Sequence, residues 1–331
     1  MACNDAPTQI PARDPPVSQS ANLSQPTVTR VQTRAPDTTT ATTGAAEEVP
    51  AGLSDRLSHS SAPYTDPLDR IPWHELSTEN FWLPESAVSL HGLDAYHRLP
   101  EAQRRHLSQL EYLNAVEAGI WLEAIFMARI ADSVQRAGDD SALCYHLHEL
   151  REEAGHSLMF VELYRRAGMD RVPTAFHRLR LANLVGRRAP FESTAFWLAV
   201  LIGEQVPDRL NRVVHHHRHE VDPAAHAIAR IHSRDEARHI AHAREQLRTR
   251  LDAMPRWRRQ LLGVPIRRLF GQFVRALYLP EPALYERAGL TPGRDWARRA
   301  ATNPERIAFI DTCVAPTRDV LAPFDLRLDW H

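Results

Sequence analysis

The sequence contains no lysine: all 40 of its basic residues are arginine. A biased genomic base composition is sufficient cause. The absence still excludes a Schiff-base lysine, a pyridoxal-phosphate anchor and a phosphate-loop lysine, all of which need a primary amine. Cysteine is nearly missing too. Cys3, Cys144 and Cys313 are odd in number and far apart, so a reducing compartment is expected and a disulfide framework is not. No run approaches about 18 apolar residues, and no basic-then-apolar leader opens the chain. No membrane partner is therefore expected, and the cytoplasm is the default location. A formal net charge of −1 gives no reason to expect nucleic acid as a partner. Alternating runs of β-branched and aromatic residues are also lacking, which argues against strands.

What remains is a helical chain. Its 331 residues, 43% of them hydrophobic, suffice for one large domain or two modest ones. Residues 1–65 are rich in Pro, Thr, Ser, Ala and Gln without periodic apolar positions, and read as a disordered tail. The folded domain is expected over 66–331. Around Trp73 and Phe81 the composition reads as an irregular but ordered segment laid against the main body. Long helices are expected over 108–135, from Asp139 or Asp140 to about 168, over 196–217, and from Pro223 to about 254. Asp222 is the N-cap of the last and Pro223 its first residue. Shorter helices are expected over 257–278 and 282–288. The fold class is all-α, with a four-helix core.

The chemistry concentrates in residues 232–239, His-Ser-Arg-Asp-Glu-Ala-Arg-His. On a helix His232, Glu236 and His239 fall at i, i+4 and i+7 and share one stripe. A second pair, Glu153-Ala-Gly-His156, lies upstream. Two Glu-x-x-His pairs in a helical bundle match a site for two metal ions, which needs one further Glu from each of the other two helices. On the third helix that residue is Glu204, which follows an uncharged stretch over 196–203; a carboxylate there is costly unless paired or metal-bound. On the first helix Glu117 and Glu123 compete. Glu123 and Glu153 lie fifteen residues either side of Gly138, the expected turn, and therefore sit level in a hairpin. Glu117 is six residues off level, about 9 Å along the axis. Glu123 is the expected ligand. Glu204 and Glu236 likewise flank Glu220 at sixteen residues each.

Carboxylates and imidazoles without thiolate suit iron or manganese better than zinc. His232 reads either as a third imidazole ligand or as a neighbour of the ligands. His215, His216, His217 and His219 read as solvent-facing caps of the third helix, and exposure is expected for His242. A ligating histidine usually donates its other N–H to a carboxylate. Asp235 fits that role for an imidazole of the partner pair, with Arg238 steadying it; Glu152 holds the corresponding position in the first pair. Pro207, inside the third helix, is expected to distort it beside the metals.

Asp235-Glu-Ala-Arg-His239 resembles the Asp-Glu-x-Arg-His element of bacterial multicomponent monooxygenases. The fuller pattern is Glu123, Glu153-x-x-His156, Glu204 and His232-x-x-x-Glu236-x-x-His239. It resembles the p-aminobenzoate N-oxygenase (AurF-type) family of ferritin-like di-iron oxygenases over roughly 73–331. In that family the third histidine is distinctive, and it maps onto His232. The resemblance implies two iron ions, dioxygen as co-substrate, and oxygen transfer to an amine nitrogen. The products would be hydroxylamine, nitroso or nitro compounds, often in natural-product biosynthesis. The amine could be an arylamine, an aliphatic amine or an amino acid on a carrier. No Gly-rich dinucleotide motif is present, so an external reductase or a small reductant must supply electrons. The other readings are a di-iron hydroxylase or desaturase acting on carbon, and a ferritin-like iron-binding or ferroxidase protein. A homodimer is compatible with the sequence.

Overall fold

The computed structural model describes residues 52–135 and 140–331. The expected turn at Gly138, Cys3 and most of the expected tail lie outside the described residues. Within them the chain forms α-helices, short 3-10 turns and no strand. In chain order the helices are α1 (Leu53–Ser61), α2 (Asp94–His97), α3 (Glu101–Val134), α4 (Asp140–Ala167), α5 (Arg180–Arg188), α6 (Thr194–His216), α7 (Pro223–Asp252), α8 (Arg256–Tyr278), α9 (Pro282–Arg287), α10 (Gly293–Thr302) and α11 (Pro304–Leu321).

The core is the expected four-helix bundle. α3 packs against α4 and α6 against α7; α3 against α6 and α4 against α7 close the ring. Local chemistry sets the ends of these helices. Asp222 caps α7 by accepting the Ala224 and Ala225 N–H groups at 2.9 and 3.2 Å, and Pro223 follows as its first residue. Ser193 caps α6 by accepting from the Phe196 N–H at 3.2 Å. α4 ends before Gly168, whose φ of 62° is the left-handed geometry that glycine adopts most readily at a helix end. The irregular segment near Trp82 lies over the bundle end as expected. Trp82 is fully buried edge-on to Tyr112, and the Ser77 N–H and Asn80 amide donate to the Asp222 carboxylate that caps α7. No helix among the described residues is long and apolar enough to cross a membrane.

Three expectations need correction. The folded body starts before 66: α1 lies inside the stretch assigned to the tail and packs against α4 and α7. Its Ser61 carbonyl accepts from Arg151, and Tyr64 and Pro67 press so closely on Gly155 that a Cβ there would meet the tyrosine hydroxyl at 2.7 Å. A few apolar anchors in a polar stretch, Leu57 above all, were enough to dock it. Second, α6 runs unbroken through Pro207. The proline removes one hydrogen bond, but neighbours α3, α5, α7, α8 and α11 hold the helix continuous. Third, His242 is buried, packed against Tyr145 and Trp197, rather than exposed.

Candidate metal centre

The bundle brings seven predicted residues to one place midway along its axis. Glu123 comes from α3, Glu153 and His156 from α4, Glu204 from α6, and His232, Glu236 and His239 from α7. None of the seven is more than 7% exposed, so water does not solvate them. Their ligand atoms fall into two groups, each within 4.8 Å: Glu123 with His156 and His232, and Glu153 with Glu204, Glu236 and His239. Glu117, the rejected candidate, is elsewhere; it accepts from the Tyr164 hydroxyl at 2.7 Å and pairs with Arg171.

Two carboxylates span both groups. Glu236 places Oε1 2.9 Å from His232 Nε2 and 3.5 Å from His156 Nδ1, and Oε2 3.4 Å from His239 Nδ1. Glu153 places Oε1 3.0 Å from His239 Nδ1 and Oε2 3.8 Å from His156 Nδ1. Glu153 and Glu236 would thus be placed to bridge two ions, whereas Glu123 and Glu204, each in one group, would be terminal.

The imidazoles are aimed by a polar layer behind them. His156 Nε2 donates to Asp235 at 3.3 Å and His239 Nε2 to Glu152 at 3.0 Å, so both rings turn Nδ1 inward. The braces are crossed: the carboxylate on α7 serves the histidine on α4, and the reverse. Arg238 joins them, donating to Glu152 at 2.7 Å and Asp235 at 2.8 Å. Asp235 and Arg238 thus lie in the polar layer behind the imidazoles, and Glu152 stands with them. His232 is held the other way round. Asn211 contacts its Nδ1 at 2.9 Å, which turns Nε2 inward. Neither Asn211 nor Ser157, which donates to Glu123 at 2.5 Å, was visible in the sequence. Residue types so common carry no motif; only the helical register, seven residues after Glu204 or four after Glu153, could have raised them.

Electrostatics show how unsatisfied this cluster is. Burial, then the Glu153 charge, pushes the Glu123 carboxyl well above its usual range; burial and Glu236 do the same to Glu204. Burial alone would also raise Glu236, but His239, the Glu204 proton and His232 together hold it well below the usual range. Burial alone would lower both imidazoles. For His156 the Asp235 and Glu153 bonds reverse this, and for His239 the Glu236 and Glu153 charges do, so both stand well above the ordinary histidine range. The metal-free centre thus keeps protons where cations belong.

The donor set fits two metal ions. Glu123 Oε1, Glu153 Oε2, both Glu236 oxygens, His156 Nδ1 and His239 Nδ1 are buried without an aligned hydrogen-bond partner. Buried polar atoms are rarely left so. Here they converge, and oxygen and imidazole donors without sulfur suit iron and manganese. Stripped of protons, the four carboxylates would put four like charges in a dry interior, which two divalent ions would balance.

Comparison with known proteins agrees. The family described as p-aminobenzoate N-oxygenase AurF matches residues 44–325. Two mycobacterial proteins, described only as uncharacterized, are each 27% identical over 229 residues, one from Mycobacterium bovis and one from Mycobacterium tuberculosis. The match covers 68% of this chain and spans 60% of the length of those relatives. Among solved structures, a variant of an R2-like ligand-binding oxidase with anaerobically reconstituted Mn/Fe cofactor aligns with a TM-score of 0.51 at 13% identity, covering 86% of this chain and 96% of that one. A second variant, aerobically reconstituted, aligns at 0.50 and 14%, covering 86% and 95%. At such identities the likeness speaks for the ferritin-like fold alone. With its all-helical bundle, its two buried carboxylate–histidine clusters and a match over residues 44–325, the chain belongs to the family described as p-aminobenzoate N-oxygenase AurF.

Proposed function

We propose that this protein is an amine N-oxygenase, transferring oxygen from dioxygen to the nitrogen of an amine. The observation that carries the reading is His232. Its Nε2 stands with Glu123 and His156 in one ligand group, the third imidazole that a plain pair of Glu-x-x-His motifs would lack. Two iron ions, held by the seven residues above, would supply the redox chemistry that reduces dioxygen. Everything else falls to the chain itself. Asp235, Glu152 and Asn211 fix ring orientation, so three imidazoles meet the centre without rearranging. Glu153 and Glu236 each face both ligand groups and would set the spacing of the two ions. Burial and neighbouring carboxylates favour the protonated forms of Glu123 and Glu204. Burial on every side excludes bulk water from the reacting groups. A separate donor delivers electrons, and the amine arrives free or on a carrier.

The test is product analysis. Protein loaded with iron and chemically reduced is exposed to dioxygen with a panel of arylamines and aliphatic amines. Mass gains on nitrogen, giving hydroxylamine, nitroso or nitro products, are expected. Oxygen found only on carbon, or iron taken up in bulk without any amine product, refutes the proposal.

A further inference from the structure

A dry slit runs beside the two helices that each give a single carboxylate. Its walls include Trp121, Leu122 and Phe126 of α3, Gly186 of α5, Gly203 of α6 and Phe273 of α8, and no lining residue is charged. The one polar side-chain group among the lining residues, the Trp121 indole N–H, donates to Asn183 at 3.2 Å. Two lining residues directly precede the terminal carboxylates in sequence, Leu122 before Glu123 and Gly203 before Glu204, so the slit runs between the helices that carry these carboxylates.

Its lining says what it can carry. The space among the walls, counted out to its mouth, is about 340 Å³, within which the centre of a water-sized sphere has about 20 Å³ to move. A polar molecule would find no hydrogen-bond partner there. A small apolar molecule suits such walls. Two glycines keep the passage from closing. Neither takes a left-handed conformation, and both sit inside helices where glycine is a poor choice. Space is the remaining reason. A Cβ at Gly203 would lie 3.0 Å from both Leu122 Cδ2 and Phe126 Cζ, and one at Gly186 3.0 Å from Ile125 Cγ2.

We propose that this slit is the route by which dioxygen reaches the metal centre, and that Gly203 and Gly186 hold it open. The choice of dioxygen rests on the function proposed above; the existence of a site for small apolar gases does not.

Xenon, an apolar gas visible to X-rays, is the probe. Crystals of the wild-type protein under xenon pressure should show an atom among Leu122, Gly203 and Phe273. No xenon there overturns the proposal. The reduced, iron-loaded protein is then mixed with dioxygen in a stopped-flow instrument. Gly203→Val should slow the reaction about tenfold, because a close-packed wall has no slack to absorb two methyl groups. Gly186→Ala should slow it less. Leu122→Phe narrows the slit without touching either glycine and covers the case in which a glycine variant fails to fold. Iron content serves as the control for intact ligands. Unchanged rates in folded, fully loaded variants refute the route. The two proposals fail separately. Xenon uptake and slowed oxygen reaction without any amine product would sink N-oxygenation alone, whereas amine oxidation without xenon in the slit would sink only the route.

Discussion

Behind the imidazoles of α4 and α7 stand Asp235, Glu152, Arg238 and Asn211; beside the terminal carboxylates of α3 and α6 stand Leu122, Phe126 and Gly203. One side of the centre is wired with charge-assisted hydrogen bonds and the other is lined with hydrocarbon. The wired side fixes where nitrogen donors point. On the other side Glu123 accepts from Ser157 and Glu204 shares a proton with Glu236, and apolar residues precede both in sequence. On the route proposed above, the centre would divide the holding of ions and the admission of a reactant between its two faces.

The strongest way to break this contrast is to remove a residue that belongs to both faces. Glu236 puts an oxygen into each ligand group. In Glu236→Ala both ions should be lost, and elemental analysis after iron-supplemented expression should find almost none. Retention of wild-type iron would show that the centre does not depend on a bridging carboxylate. The next effect lies on the wired side. Arg238→Met leaves Glu152 and Asp235 without their shared cation, and both imidazoles lose a firmly placed acceptor. Metal affinity, measured by chelator competition, should fall about 10–100-fold, as for other outer-layer partners of metal ligands. An unchanged affinity would make the braces ornamental to binding.

The contrast also has a pH signature. His156 and His239 stand above their ordinary value of 6.5 in the metal-free protein. A raised histidine adds stability that is complete below that value and is lost as pH climbs through the folded one. Glu123 and Glu204, raised above 4.5, act in the same direction, since their protonated forms are favoured. Asp235, held down to about 2, runs oppositely and loses its contribution only in strong acid. The metal-free protein should therefore melt at progressively lower temperature from about pH 6 upward to pH 9, while the loaded protein changes less. Calorimetry in buffers of different ionisation enthalpy should detect proton release on metal binding. Binding without proton release would contradict the protonated centre.

Most of the bundle and all seven converging residues were legible in the sequence, and the reason is geometric. Hairpins of equal arm length put Glu123 level with Glu153 and Glu204 level with Glu236, so counting from a turn replaced three-dimensional information. What was not legible depended on contacts between distant segments. α1 folds because Leu57 and Tyr64 find α4, which no local pattern in a Ser- and Thr-rich stretch announces. Pro207 signals a break by its own chemistry, and only the helices around α6 override it. His242 was misjudged for the same reason: its stripe faces Tyr145 and Trp197, and burial holds its imidazole down to about 3, neutral rather than solvated.

The smallest effect expected is at Asn211, and it sharpens the contrast within the wired side itself. Asp235 and Glu152 can only accept hydrogen bonds, so each commits its histidine to carry a proton on Nε2. Asn211 can do either. With its amide nitrogen toward His232 Nδ1 it donates, and His232 Nε2 then keeps a proton for Glu236. Turned over, its oxygen accepts from Nδ1–H, and Nε2 is free to bind an ion. Asn211 is thus compatible with either tautomer of His232, through a neutral rather than a charged bond. Removing it in Asn211→Ala forfeits about 1 kcal/mol, or roughly fivefold in affinity for one ion and not the other. Asn211→Asp should instead lock Nδ1–H in place and tighten that ion. Titration of iron into the metal-free variants separates the two sites. A twofold loss shared equally by both ions would mean that Asn211 supports the fold of α6 and does not set the tautomer of His232.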